Sequence, residues 1–283
     1  MLIKPNLGES KMENQAVDQR ELIYQDLHGG QLEAQEIQNR HSAEKILGIV
    51  FDVIKPDSVL DVGCGLGTWL SVARELGVAD TRGVDGLWTD NARLRIPAEL
   101  VSTQDLEKPL ELGRKFDMVM SLEVAEHLDQ SASVNFVDSL TNHADVILFS
   151  AAIPYQGGHH HVNEQFPDYW YSLFHERGFE VLDFIRPKIW NDNSILWWLK
   201  QNILLFVRKE LLESNQAFAD LYRNNLPISI VHPEVYLSRL NSANFVVEEH
   251  NKLIGIIASG GIFSVKRESD GNLTINKIGN PLE

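Results

Sequence analysis

The chain has 283 residues, 43% of them hydrophobic and 23% charged. These values exclude a wholly disordered or fibrous protein and suit one α/β domain with an appendage, or two small domains. Lys and Arg number 25 against 40 Asp and Glu, a net charge of −15, which opposes a phosphate backbone and makes a nucleic-acid partner unexpected.

Residues 1 to 30 are polar, lack periodicity and end in Gly29-Gly30; they read as a loosely ordered lead-in. From Gln31 a helical stripe builds through Ile46, Leu47, Ile49, Val50, Val53 and Ile54, and Pro56-Asp57 stops it. Ser58 to Val62 is a short apolar run suited to a strand covered on both faces. Gly63-Cys64-Gly65-Leu66-Gly67 follows, and Trp69, Leu70, Val72, Ala73 and Leu76 mark the next helix. Further strands are expected at Arg82 to Val84, ending in Asp85-Gly86, at Glu99 to Thr103, ending near Asp105, and at Phe116 to Leu122. A helix carrying Val134, Val137 and Leu140 comes next, then a fifth strand at Val146 to Ser150 and a loop rich in glycine and histidine. A helix from about Phe166 to Glu176 precedes two last strands, Phe179 to Phe184 and Ile203 to Val207.

This alternation predicts a mostly parallel, seven-stranded α/β sheet sandwiched by helices, spanning 31–210. Residues 211–268 read as a helical or irregular C-terminal extension with a turn at Pro227, and 269–283 as a flexible tail. The most apolar window, Ile195 to Val207, is broken by Lys200-Gln201-Asn202 and is shorter than the ~18–20 residues a membrane span needs. Met1-Leu2-Ile3-Lys4-Pro5 shows no signal peptide. Cys64 is the only cysteine, which excludes an internal disulfide and fits a reducing compartment, so a cytoplasmic location is expected.

The glycine loop is the most informative segment. A helix N-terminus after a strand offers free N–H groups, and glycines let a ligand approach the backbone. A dinucleotide fingerprint needs glycine at the first, third and sixth loop positions, which here are Gly63, Gly65 and Thr68, so the sixth fails. The run Asp61-Val62-Gly63-Cys64-Gly65-Leu66-Gly67 instead resembles motif I of the class I S-adenosylmethionine-dependent methyltransferases. A fixed carboxylate there suits the cationic amine and sulfonium of that donor and would repel a pyrophosphate.

Phe116-Asp117-Met118-Val119-Met120-Ser121-Leu122-Glu123-Val124-Ala125-Glu126-His127-Leu128 is similar to the fourth-strand block of the same superfamily, especially its small-molecule branch. The resemblance covers about residues 45 to 210 and implies a Rossmann-like fold. It implies a donor site at Asp61, Gly63, Cys64, Gly65, Gly67, Asp85, Gly86, Asp105, Leu106 and Glu123. Asp85 would take the ribose hydroxyls, and Asp105 and Leu106 the adenine. Residues 189 to 236 resemble bacterial methyltransferases associated with surface-polysaccharide biosynthesis, which points to a small-molecule or glycan acceptor.

Beyond the fifth strand, Pro154 to Gln165 carries His159-His160-His161 and Glu164. An oxygen acceptor of high pKa needs a general base, and histidine is the commonest. His161 and Glu164, three apart, could be base and orienter, and His127 is the other candidate. Each also has a structural reading, as a solvated loop histidine or a helix-capping carboxylate.

Glu123, Glu126, His127 and His159 to His161 resemble the ligand set of small-RNA 3′-end 2′-O-methyltransferases, which hold a divalent ion. The acidic charge opposes RNA, and no metal is assigned on this basis. Two alternatives stay open beside the O-methyltransferase: a metal-assisted RNA 2′-O-methyltransferase, and a donor-binding protein without catalysis. The oligomeric state is not legible.

Overall fold

The computed structural model describes residues 29–86, 93–223, 229–258, 262–267 and 273–279. Most of the lead-in expected over 1–30, and the turn at Pro227, lie outside them. The described chain divides into two compact units, 1–230 and 231–283.

The first unit opens with α1 (Gly29–Phe51), which buries Ala43, Ile46, Leu47 and Val50. Strand β1 (Ser58–Val62) follows, then α2 (Thr68–Glu75), β2 (Asp80–Asp85) and β3 (Val101–Thr103). Next come β4 (Met118–Leu122), α3 (Ser133–His143), β5 (Val146–Ser150), α4 (Pro167–Glu176) and β6 (Phe179–Leu182). The unit finishes with α5 (Arg186–Ile189), α6 (Trp197–Asn202), β7 (Leu204–Arg208), α7 (Lys209–Ser214) and α8 (Gln216–Arg223).

The seven strands lie in the order β3-β2-β1-β4-β5-β7-β6. All pairings are parallel except those of β7, which is antiparallel to both β5 and β6. The expected seven-stranded, mostly parallel, Rossmann-like sheet is therefore the observed one. Strand residues alternate between two cores, as the period of two requires. Val59, Met118, Met120, Val146, Leu148, Leu205 and Val207 face α1 and α2. Leu60, Val119, Ile147, Phe149, Leu204 and Phe206 face α3 and α4.

Four expectations need correction. Val134 is 48% exposed, so the buried stripe of α3 runs through Phe136, Val137 and Leu140 instead. The strand expected from Glu99 begins at Val101, after a 3-10 turn at Ala98–Leu100. The sheet unit does not close at 210: α8 buries Phe218 in the first core, and Leu211, Leu212 and Leu221 pack beside it. Within the stretch read as a flexible tail, Leu273–Gly279 forms a strand, β9, paired antiparallel with β8 (Ile262–Arg267). That hairpin and the 26-residue helix α9 (Pro233–Ala258) make up the second unit. No described helix is long and apolar enough to cross a membrane.

Candidate active site

The carboxyl ends of β1, β2, β4 and β5 lie side by side, the edge where open α/β sheets bind ligands. Two different constructions meet there.

On the β1–β2 side the chain turns on glycine. Gly63, Gly65 and Gly67 have φ of 86°, 53° and 75°, the left-handed region that side chains resist. A Cβ on Gly63 would stand 2.2 Å from Val124 Cγ2, and one on Gly67 2.7 Å from Ile96 Cγ1. Packing therefore demands those two glycines. Gly65 differs, because nothing lies within 4 Å of where its Cβ would be. The middle of the loop faces open space.

The loop is pinned to β2 by the Gly63 and Cys64 N–H groups, which donate to the Val84 carbonyl (2.7 and 3.2 Å). Asp85, buried at the end of β2, aims its carboxylate at the same loop. Oδ2 accepts from the Gly65 N–H, and Oδ1 accepts from the Gly86 N–H (2.6 Å).

Below lies Asp61, 3% exposed. Burial, and then the negative charge of Asp85, push its carboxyl up to about 8. Cys64 is also buried; burial raises its thiol, and its Sγ packs where a Cβ on Gly83 would stand, 2.6 Å away. It contributes backbone to the loop, while its sulfur belongs to the core.

These residues fit S-adenosylmethionine on three counts. There is open space over a glycine, a carboxylate at the end of β2 for ribose hydroxyls, and a buried acid whose ionised form an ammonium would favour. Asp105 stands exposed after β3, where its Oδ1 accepts from the Glu107 N–H (3.0 Å). Leu106 is packed in the second core.

On the β4–β5 side the chain turns on residues with side chains. Glu123, Tyr155 and His160 all take positive φ (55°, 65° and 57°). Such strain persists only where surrounding bonds over-determine it. The Glu123 carboxylate accepts from Gln156 Nε2 (3.0 Å) and Asn202 Nδ2 (3.0 Å), and Asn202 Nδ2 also donates to Gln156 Oε1 (2.9 Å). Burial nonetheless holds the Glu123 carboxyl above its ordinary range. Expected as a donor contact, Glu123 is tied in this structure to the loop after β5 and to the end of α6.

The histidine loop folds back over the turn after β4. Val162 and Asn163 N–H groups donate to the Glu126 carbonyl (2.9 and 3.0 Å), and Asn163 Nδ2 reaches Ser133 Oγ (3.1 Å). His161 Nδ1 is 2.9 Å from Glu164 Oε1, which also accepts from the Gly157 N–H (2.7 Å). The ring of His127 meets that of His161 edge-on, with centroids 4.9 Å apart. Burial, and then the neighbouring His161, push His127 down to about 4, so its ring is neutral at pH 7.

The three residues expected to carry proton chemistry are thus one cluster. His159 and His160 are exposed beside it. Sequence reasoning missed Gln156, Asn163 and Asn202, each 2–3% exposed. The signal existed for Asn202: it ends the Lys200-Gln201-Asn202 interruption of an apolar run, where a buried polar group needs a partner.

The chain matches the family model described as a methyltransferase domain over residues 34–184, more than half of its length. No curated protein matches it. Among solved structures, DesVI of Streptomyces venezuelae is similar at 17% identity and a TM-score of 0.46, covering 60% of this chain and 92% of its own. The magnesium protoporphyrin IX methyltransferase of Synechocystis PCC 6803, solved with bound SAH, shows 20% identity and a TM-score of 0.46 over 61% of this chain and 84% of its own. The sugar N-methyltransferase KedS8 of Streptoalloteichus sp ATCC 53650 shows 17% identity and a TM-score of 0.47 over 74% and 96%. With the family model spanning the glycine loop, both carboxylates of the β1–β2 side and the histidine loop, the chain belongs to the methyltransferase-domain family, of the class I, S-adenosylmethionine-dependent kind.

Proposed function

We propose that this chain transfers a methyl group from S-adenosylmethionine to a hydroxyl of a small-molecule or glycan acceptor. The observation that carries the reading is the meeting, at one edge of the sheet, of an open glycine turn with an oriented histidine. When bound, the donor supplies an electrophilic methyl on a sulfonium. Gly63, Gly65 and Gly67 allow it to lie against the backbone, Asp85 takes the ribose hydroxyls, and Asp61 faces its ammonium. Asp105 and Leu106, after β3, would flank the adenine.

At the other side His161 handles the acceptor's proton. Its Nδ1–H donates to Glu164, which leaves the lone pair on Nε2, the tautomer a general base needs. The acceptor oxygen forms the new C–O bond as the C–S pair withdraws onto sulfur, and its proton passes to Nε2. His127, neutral and edge-on to His161, holds the ring in place and adds no charge to it. The chain's net charge of −15 favours a small or glycan acceptor over RNA.

Thermal denaturation with S-adenosylhomocysteine and, separately, NAD tests the donor assignment. The expected result is a rise in Tm with the first and none with the second. A rise with NAD alone would contradict the assignment.

A further inference from the structure

We propose that Glu126, His127 and His161 form a binding site for a divalent transition-metal ion, of the class that takes mixed imidazole and carboxylate ligands. One donor atom from each of the three lies within 4.8 Å of the others. The inference rests on the acceptor-side reading above and deepens it by naming a group that acts on the acceptor oxygen.

Glu126 is the first reason. It is 0% exposed, and neither carboxylate oxygen has a hydrogen-bond partner in the structure. A carboxylate without donors inside a protein is costly unless paired or coordinating a metal. The adjacent acid, Glu123, offers no relief, since its charge adds to that of Glu126. The surrounding chain nonetheless holds the residue in place: the Glu126 carbonyl accepts from both Val162 and Asn163 N–H groups, which seats the histidine loop directly over it.

The rings supply the second, independent reason. His161 Nδ1 is engaged by the Glu164 carboxylate at 2.9 Å, and His127 Nδ1 by the His160 carbonyl at 3.3 Å. Each ring therefore keeps its lone pair on Nε2. Metal-ligating histidines are oriented in this way, by a carboxylate or a backbone carbonyl on the other nitrogen. Glu123 is left out of the ligand set because Gln156 and Asn202 already occupy its carboxylate.

Three protein ligands leave a coordination position for an acceptor oxygen or water. In the loaded state His161 is a ligand, the ion draws charge from the acceptor hydroxyl, and the proton leaves to solvent. In the ion-free state the same nitrogen takes the proton itself.

The test is titration of the chelator-treated full chain with Co²⁺, followed by the visible d–d absorption of the ion and by calorimetry. One equivalent is expected to bind, displaceable by Zn²⁺. Glu126→Gln and His127→Ala should each weaken binding at least tenfold. Affinity for S-adenosylhomocysteine should stay within about twofold in both variants, which shows that they fold; if one does not fold, the other decides. Absence of the Co²⁺ signal overturns the proposal. So does binding that survives both variants but falls with His159→Ala, since that marks the exposed loop histidines alone. Co²⁺ binding with no S-adenosylhomocysteine binding would instead remove the methyltransferase reading and leave the metal site standing.

Discussion

After β1 the chain reverses on glycines, whereas after β4 and β5 it reverses on Glu123, Tyr155 and His160, all held in left-handed conformations. The first construction exposes backbone, and a ligand can rest against it. The second spends strain, of order 1 kcal/mol or more at each such residue, to keep side chains at turns where glycine would be easier. The difference teaches which end needs chemistry. A donor requires a shaped surface with two fixed acids, and an acceptor requires side chains aimed at one atom.

If the two sides divide labour in this way, substitutions should separate binding from turnover. The largest effect is expected at His161→Ala. With an identified acceptor, turnover should fall by about 10²–10⁴-fold with donor affinity within about twofold. A loss of less than about tenfold would remove the proton-handling role. Gly63→Ala attacks the other side. Its positive φ and the overlap with Val124 should cost about 2–4 kcal/mol of stability in urea melts, with donor binding lost alongside. An unchanged melt would show that the glycine turn is not required.

Asn202→Ala removes a donor from the buried Glu123 carboxylate. We expect a loss of about 1–3 kcal/mol and weaker turnover, because the loops after β4 and β5 are joined there. Preserved turnover would mean that the polar cluster only fills space.

The smallest effect is a pH dependence. Unfolded, Asp61 releases its proton near pH 4; folded, it keeps it up to about 8. Between these values the folded chain carries the extra proton, so the contribution of Asp61 to stability falls as pH rises through that window. A ligand ammonium beside Asp61 favours the ionised form. Binding of S-adenosylhomocysteine at pH 7 should therefore release up to about one proton, seen as a dependence of calorimetric enthalpy on the buffer's ionisation heat. No buffer dependence would move the ammonium away from Asp61.

How much of this was legible in the sequence depended on range. Strands β1 and β5 were readable to the residue, because each is a continuous apolar run bounded by turn residues. The Asp61–Gly67 turn was readable because all its parts are consecutive. His161 and Glu164 were readable as a pair for the same reason, and the structure joins them.

The Glu123–Gln156–Asn202 cluster was not, since its members come together only when the loops after β4 and β5 and the end of α6 converge at one edge. The burial of Glu126 was hidden as well, because a carboxylate in a polar turn carries no mark of depth. The closure of the sheet unit beyond 210 depends on Phe218 finding the first core, a tertiary fact. The strand Leu273–Gly279 was masked by Asn and Gly, which ordinarily punctuate loops.

The central claim is that the glycine turn and Asp85 hold S-adenosylmethionine, and it is tested most directly by calorimetric titration of S-adenosylhomocysteine into the full chain and into Asp85→Ala. The account predicts saturable 1:1 binding to the native chain that weakens at least about tenfold in the variant, as loss of a charged hydrogen-bond partner implies. Equal affinity in both proteins would contradict it.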